Sequence, residues 1–197
     1  MVSATNFAEA KAIEAAGIDI IVAQGIEAGG HRGVFSTKFD ASVKTSNLVK
    51  LIRQHSSLPV VAAGGIMDGQ QARLMLDFGA EAVQLGTAFV QCKSSNANED
   101  YRKALLSKPL TQVSASISGR PARGIINHWH MEVDTPDRLD VPAYPYTYDL
   151  AKQLNAAAAK HGDKGYGAFW AGSNVAQIRE MEASDLINQL VLEMSHP

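Results

Sequence analysis

The chain has 197 residues, of which 46% are hydrophobic and 19% are charged, a composition typical of a globular domain with a buried core. Its net charge is −2, and no run of lysine or arginine suggests a nucleic-acid surface. Cys92 is the only cysteine, so an internal disulfide is excluded. The longest apolar stretches are too short to cross a bilayer, and the first residues do not resemble a signal peptide. We therefore expect a single cytoplasmic domain over residues 1–197, with no nucleic-acid or membrane partner.

Helical and extended segments alternate along the first 86 residues. Apolar runs that end in glycine are typical of strands covered on both faces, and they occur at 18–25, 59–65 and 81–86. Segments rich in helix formers precede or follow them at 6–16, 46–56 and 68–79. Asp68 and Gln71 have the spacing of a capping box at the start of the third helix. A short strand is also expected at 2–5. The alternation predicts βα units around a parallel sheet.

The regular alternation stops after Gly86. The remaining helices are predicted at 101–108, 123–133, 149–162 and 184–194. Pro121 suits the first turn of the second of these helices. The proline-rich segment 134–145 is predicted to be an ordered surface loop. The last helix carries one apolar stripe and must cover another part of the fold.

Three glycine-rich segments lie at the predicted carboxyl ends of strands, where ligand-binding loops of parallel sheets gather. They are Gln24–Gly33, Ala63–Ile66 and Gln84–Thr87. If these ends follow strands six, seven and eight of a TIM barrel, the last two are placed for a phosphate. A phosphate-bearing cofactor would then lie with its reactive end near His31, in the first segment. Taken singly, each Gly-Gly is more often a tight turn, and a lone histidine is more often structural.

Other polar groups are weaker candidates. His128 and His130 invite a metal site, but residues two apart on a helix point to different faces, so we predict none. Arg120 and Arg123 are equally compatible with an anion site and with solvated basic residues.

Tyr144, Tyr148 and Lys152 are spaced four apart. On a helix they would share one face, where two phenols and an ammonium could hold an anionic substrate. The alternative is a lysine that extends over packed aromatic rings.

Six segments of the chain occur in a recognisable order: IVAQGIEAGGHRG, VVAAGGI, VQLGTAF, SGRPARGIIN, PAYP and FWAG. In this order they resemble the bacterial nitronate monooxygenases, formerly called 2-nitropropane dioxygenases, over nearly the whole chain. The resemblance implies an α/β fold, the TIM barrel, with FMN as cofactor. It implies oxidation of alkyl nitronates, such as propionate 3-nitronate, by oxygen to a carbonyl compound and nitrite.

The resemblance also implies roles for individual residues. His31 would be the catalytic residue over the flavin. Tyr144, Tyr148 and Lys152 would line the substrate pocket. The implied FMN-binding residues are Gln24, Gly29, Gly64, Gly65, Gln84, Leu85, Gly86 and Thr87.

Two departures from the family pattern stand out. The family usually has NRF where this chain has Asn127-His128-Trp129, and often WAGQG where it has WAGSN at 170–174. A complete (β/α)8 barrel has eight strands and typically at least about 200 residues, whereas three strands and a stub are found here. We therefore expect an incomplete (β/α)8 TIM barrel, roughly its last three to four βα units plus C-terminal helices.

Two alternatives to a nitronate monooxygenase remain open on the sequence. One is an FMN-dependent enoyl-[acyl-carrier-protein] reductase, which shares the glycine-histidine loop, although PAYP argues against it. The other is an inactive half-barrel that self-associates through its open sheet edge.

Overall fold

The computed structural model describes residues 1–195 and contains a parallel sheet of four strands. In spatial order these are β1 (Val2–Ala4), β2 (Ile21–Gln24), β4 (Val60–Ala63) and β5 (Ala82–Gln84). Every neighbouring pair in this sheet is parallel. The predicted α/β class and parallel sheet are therefore confirmed, and the carboxyl ends of all four strands lie at one edge.

Three helices pack against one face of this sheet. They are α1 (Phe7–Ala15), α2 (Thr45–His55) and α3 (Gly69–Asp77). Apolar side chains of strands and helices form one buried core between the two layers. At the start of α3 the Asp68 carboxylate accepts a 2.7 Å hydrogen bond from Gln71 N–H, as predicted. The second arm of the capping box differs, because the Gln71 side chain accepts from Met67 N–H instead.

A second sheet, which the sequence analysis did not predict, lies beside the first. Its strands are β3 (Gly30–His31), β6 (Thr111–Ser114) and β7 (Ala122–Ile125), antiparallel in the order β3-β7-β6. The helix predicted over 123–133 is therefore wrong. Strand β7 has pairing partners on both sides, which outweighs local helix propensity, and only Trp129–Val133 forms a π-helical turn.

The remaining helices largely follow the prediction. They are α4 (Glu99–Leu106), α5 (Tyr146–Lys160) and α6 (Ala183–Ser195), with short 3-10 turns at Thr87–Phe89 and Val175–Gln177. Helix α5 begins three residues before its predicted start, so Tyr148 and Lys152 lie on it and Tyr144 precedes it. None of the helices within residues 1–195 is long and apolar enough to cross a membrane.

Helix α6 packs against α3 and buries only part of its apolar stripe. Leu186 and Leu190 are buried, whereas Ile187 and Val191 remain exposed. The contact with α3 is close at Gly69, where an added Cβ would lie 2.2 Å from the carbonyl oxygen of Leu190. The parallel sheet has an open edge at β1, which within the described residues has a neighbouring strand on one side only.

Candidate cofactor and active site

The three glycine-rich strand ends meet at one cavity of about 100 Å³. Strand pairing aligns Gln24 with Ala63 and Ala63 with Gln84, so the loops that follow lie side by side. All eight residues predicted to bind the cofactor line this cavity, namely Gln24, Gly29, Gly64, Gly65, Gln84, Leu85, Gly86 and Thr87. The structure therefore brings together residues that are up to 63 positions apart in the sequence, since 87 − 24 = 63.

Several residues that line the cavity have backbone N–H groups without an acceptor in the described part of the chain. Those of Gly65, Ile66, Gly86 and Thr87 donate to no protein acceptor within residues 1–195. Each of these residues lines the cavity. Unpaired backbone amides that converge at strand-to-helix turns are suited to an anion such as a phosphate.

The glycines of the cavity are required by close backbone approach. An added Cβ on Gly64 would lie 2.8 Å from Ala28 N, and one on Gly29 would lie 2.6 Å from Gly172 N. Gly65 has φ of +73°, in the left-handed region that favours glycine. A side chain at any of these positions would therefore strain the backbone or displace the opposite wall.

The segment 170–174 closes the cavity from the other side. Gly172 N–H donates a 2.9 Å hydrogen bond to the Thr87 hydroxyl, and Asn174 Nδ2 donates one of 2.6 Å to the Gly65 carbonyl. Sequence reasoning did not assign a role to Gly172 or Asn174. The FWAG segment that contains Gly172 was the available signal, but nothing in it indicated which strand end it would contact.

Gln24 lines the cavity, but its side-chain amide is used inside the loop that carries His31. Its Nε2 donates to the His31 carbonyl at 3.1 Å. Its Oε1 accepts from Gly33 N–H at 2.7 Å and from Arg32 at 3.1 Å. The Gln24 side chain therefore holds the backbone of this loop at His31 and Gly33.

Arg32 also stabilises this loop through hydrogen bonds. Its guanidinium is fully buried and donates to Asp40 at 2.7 Å and to the Gly25 carbonyl at 2.6 Å. Burial raises the pKa of Asp40, but hydrogen bonds from Arg32 and from Ser42 N–H outweigh it and lower that pKa. The paired charges hold the backbone on both sides of the glycine-rich segment.

His31 lies on β3, beside the cavity and not in its lining. Its Nε2 is 2.9 Å from the Ser118 hydroxyl. Burial lowers the pKa of His31, and the positive charge of Arg120 lowers it further. Both effects favour the neutral form of the imidazole.

Three aromatic rings surround the imidazole of His31. The ring centroids of Tyr144, Tyr148 and Trp170 lie 5.7, 5.9 and 5.3 Å from it. Lys152 places its ammonium 4.5 Å from the centre of the Tyr148 ring. The structure thus brings the predicted substrate residues to the predicted catalytic residue. It adds Trp170, for which the sequence analysis proposed no role.

The other candidate residues are used elsewhere. Arg123 donates to the carbonyls of Ile26 and Thr111, which is a structural role. His128 contacts Asp163 at 3.0 Å, and His130 contacts the side chain of Asn127. Within residues 1–195 no three histidine, cysteine or acidic side chains are grouped so as to hold a metal.

Sequence comparison finds similar proteins that are described as nitronate monooxygenases or probable nitronate monooxygenases. It is 48% identical over 197 residues to nitronate monooxygenases from Pseudomonas aeruginosa and Paraburkholderia phytofirmans. The match covers 98% of this chain but 56% and 54% of those proteins, so the chain spans about half the length of these relatives.

Structural comparison agrees with the sequence comparison. A nitroalkane oxidase from Streptomyces ansochromogenes superposes with a TM-score of 0.90 at 40% identity, over 98% of this chain and 56% of that one. FabK from Thermotoga maritima superposes less well, with a TM-score of 0.75 at 27% identity, over 98% of this chain and 60% of that one. The sequence profile of the family described as nitronate monooxygenase matches residues 1–193. The chain belongs to the nitronate monooxygenase family.

Proposed function

We propose that this chain holds the phosphate end of FMN and supplies the histidine for oxidation of alkyl nitronates by oxygen to a carbonyl compound and nitrite. The observation that carries the proposal is the single cavity lined by all eight predicted cofactor residues, with His31 beside it. We further propose that the four parallel strands are part of a (β/α)8 barrel, as the similarity to the longer relatives suggests.

The cavity fits a phosphate better than a whole flavin. Its volume of about 100 Å³ is below the roughly 300–1,000 Å³ of a typical small-molecule pocket. The free N–H groups of Gly65, Ile66, Gly86 and Thr87 match the acceptor oxygens of a phosphate. The Thr87 hydroxyl accepts from Gly172 N–H and keeps its own proton for donation.

The residues around His31 fit an electron-rich, anionic substrate. When bound, FMN supplies the electron transfer between substrate and oxygen. A neutral imidazole takes the proton from the carbon beside a nitro group, which converts a nitroalkane into the nitronate. The phenols of Tyr144 and Tyr148 and the ammonium of Lys152 lie nearby to donate hydrogen bonds and charge to the anion.

FMN binding is tested by titrating the chain with FMN and recording the visible absorption and the quenching of flavin fluorescence. Gly65→Ala is the site variant and Gly17→Ala its control, because both glycines have nearly the same φ, +73° and +72°. A Cβ on Gly17 meets nothing within 4 Å, whereas one on Gly65 would lie 2.9 Å from the Glu27 side chain. We expect weaker binding in Gly65→Ala only. A chain that changes neither the absorption nor the fluorescence of the added FMN would favour the inactive half-barrel.

Turnover is tested by nitronate-dependent oxygen uptake, which we expect to fall sharply in His31→Ala. Unchanged uptake in that variant would refute the role of His31. NADH oxidation with an enoyl thioester, in the absence of nitronate activity, would favour the enoyl reductase instead.

Self-association is a further part of the proposal. The outer side of β1 is unpaired within the described residues, and open sheet edges favour association with another chain. Sedimentation velocity over a range of concentrations tests this, and a monomer at every concentration would contradict it.

A further inference from the structure

The hydroxyl of Ser118 lies against His31 although 87 residues separate them in the chain. The pairing of His31 with Ala122, across β3 and β7, brings the turn that contains Ser118 next to the imidazole. Ser118 is fully buried. Its contact of 2.9 Å with Nε2 is the one hydrogen bond of the His31 ring within residues 1–195.

The hydrogen-bond inventory of Ser118 determines which atom donates in this contact. A serine hydroxyl has one proton and two acceptor lone pairs. The Ser118 Oγ lies 2.9 Å from the Arg120 carbonyl oxygen, which can only accept. That carbonyl has no other donor within the described residues. The hydroxyl proton therefore satisfies Arg120, and Oγ presents a lone pair to His31.

A second contact supports this orientation. Arg120 N–H donates to Ser118 Oγ at 3.3 Å, so the turn supplies both a donor and an acceptor to the same hydroxyl. If Ser118 gave its proton to His31 instead, the carbonyl of the half-buried Arg120 would lose its one donor within the described residues.

We infer that Ser118 is a positioning residue that keeps the proton of neutral His31 on Nε2 and leaves Nδ1 as its basic nitrogen. Within residues 1–195, Nδ1 has no hydrogen-bond partner, and it is not among the buried polar atoms that lack one. It is thus free to take a proton from a substrate. The tautomer follows from the hydrogen bonds alone, whereas its catalytic use rests on the proposed function.

The tautomer is read directly from proton–nitrogen correlation spectra of the imidazole rings in the full chain, recorded above pH 7. The chain has six histidines, and the His31 signals are assigned by their loss in His31→Gln. We expect a slowly exchanging proton on Nε2 and an unprotonated Nδ1. A proton on Nδ1, or rapid averaging of the two tautomers, would overturn the inference.

Variants separate this role from a general contribution to folding. In Ser118→Ala the slowly exchanging Nε2 proton should disappear, and in Ser118→Thr, which keeps the hydroxyl, it should persist. Ser116→Ala is the matched control, because Ser116 is also buried in this turn but its hydroxyl accepts from Trp129. An unchanged Nε2 signal in Ser118→Ala, or its loss in Ser116→Ala, would count against Ser118. Circular dichroism confirms that each variant is folded.

An activity assay tests the catalytic consequence separately. A neutral nitroalkane needs a base, whereas a nitronate has already lost its proton. We expect Ser118→Ala to lower kcat/KM for the nitroalkane about tenfold and to change that for the nitronate much less. An equal loss for both substrates would remove the catalytic claim. The spectra would still decide the tautomer if neither substrate were turned over, and that result would count against the proposed function alone.

Discussion

Asn174 Nδ2 donates a hydrogen bond of 2.6 Å to the carbonyl oxygen of Gly65, which joins the closing segment to the wall of the cavity. Gly65 is held at φ of +73°, and its own N–H has no acceptor within the described residues. The hydrogen bond therefore fixes the orientation of a peptide unit next to a candidate phosphate donor. The donor, Asn174, stands at a position where the chain departs from the family pattern, with WAGSN where WAGQG is common.

Removal of this hydrogen bond should weaken FMN binding. In Asn174→Ala the Gly65 carbonyl loses its partner, so we expect the Kd for FMN to rise about fivefold to tenfold, as for loss of one part-buried hydrogen bond. Fluorescence titration measures the change. Ser173→Ala is the control, because within residues 1–195 the one hydrogen bond of its exposed hydroxyl is to Asn174. Equal affinities in wild type and Asn174→Ala would show that the closing segment does not organise the phosphate loop.

The acid limb of the pH profile should report His31. Burial and Arg120 both lower the pKa of His31 below 6.5, and the base form is the one that takes a proton. We expect kcat/KM for a neutral nitroalkane to be constant near pH 7 and to fall only as the pH drops through this lowered pKa. Arg120→Gln removes the positive charge, so the acid limb should move to higher pH. Arg120→Lys retains it and should not.

Sequence patterns were sufficient for the parts of the fold that are local. Each glycine that ends β2, β4 or β5 follows an apolar run, so the pattern predicts the strand ends and the three glycine-rich segments, whereas the eight individual cofactor residues came from the family resemblance. The second sheet could not be predicted, because Ala122–Ile125 is helix-compatible in isolation and becomes a strand only through partners at Thr111–Ser114 and Gly30–His31. For the same reason Ser118, Trp170 and Asn174 were missed. Their roles depend on contacts between residues far apart in the sequence. Ser118 and His31 are 87 residues apart, Asn174 and Gly65 are 109 apart, and Trp170 and His31 are 139 apart (170 − 31).

Lys152 should discriminate between substrates by charge. Its ammonium lies over the Tyr148 ring next to His31, where it can attract a carboxylate carried by the substrate. For Lys152→Gln we expect KM for propionate 3-nitronate to rise only about twofold to fivefold, because an exposed charge is screened by solvent. KM for a nitronate without a carboxylate should change less. Lys160→Gln, at the far end of α5, is the control. Equal effects on both substrates would exclude recognition of the carboxylate.

Glu193 should make the stability of the α3–α6 contact depend on pH. Burial raises its pKa, but hydrogen bonds from Arg179, Gly69 N–H and Gln189 outweigh this and lower the pKa to about 2. The contribution is thus fully present above the ordinary value of 4.5 and is lost as the pH falls through about 2.

Glu193→Gln tests this contribution by urea unfolding. At pH 7 we expect the free energy of unfolding to fall by about 1–2 kcal/mol, because the ion pair with Arg179 and one acceptor are lost. The difference from wild type should shrink toward pH 2. Glu180→Gln, whose carboxylate makes no ion pair within residues 1–195, provides the comparison. A difference that stays constant from pH 7 to pH 2 would exclude the ionised carboxylate as the cause.

The unpaired polar groups of the cavity residues Gly65, Ile66, Gly86 and Thr87 are peptide N–H groups, which every residue except proline carries. Truncation of side chains leaves such donors in place, so a scan that replaces residues one by one with alanine would underestimate this wall wherever the backbone path survives. Replacing an amide with an ester linkage, or introducing proline at Ile66 or Thr87, removes the donor itself. The hydrogen-bond donors of this surface therefore depend on the path of the main chain. Substitutions that preserve that path can accumulate while the donors stay in place.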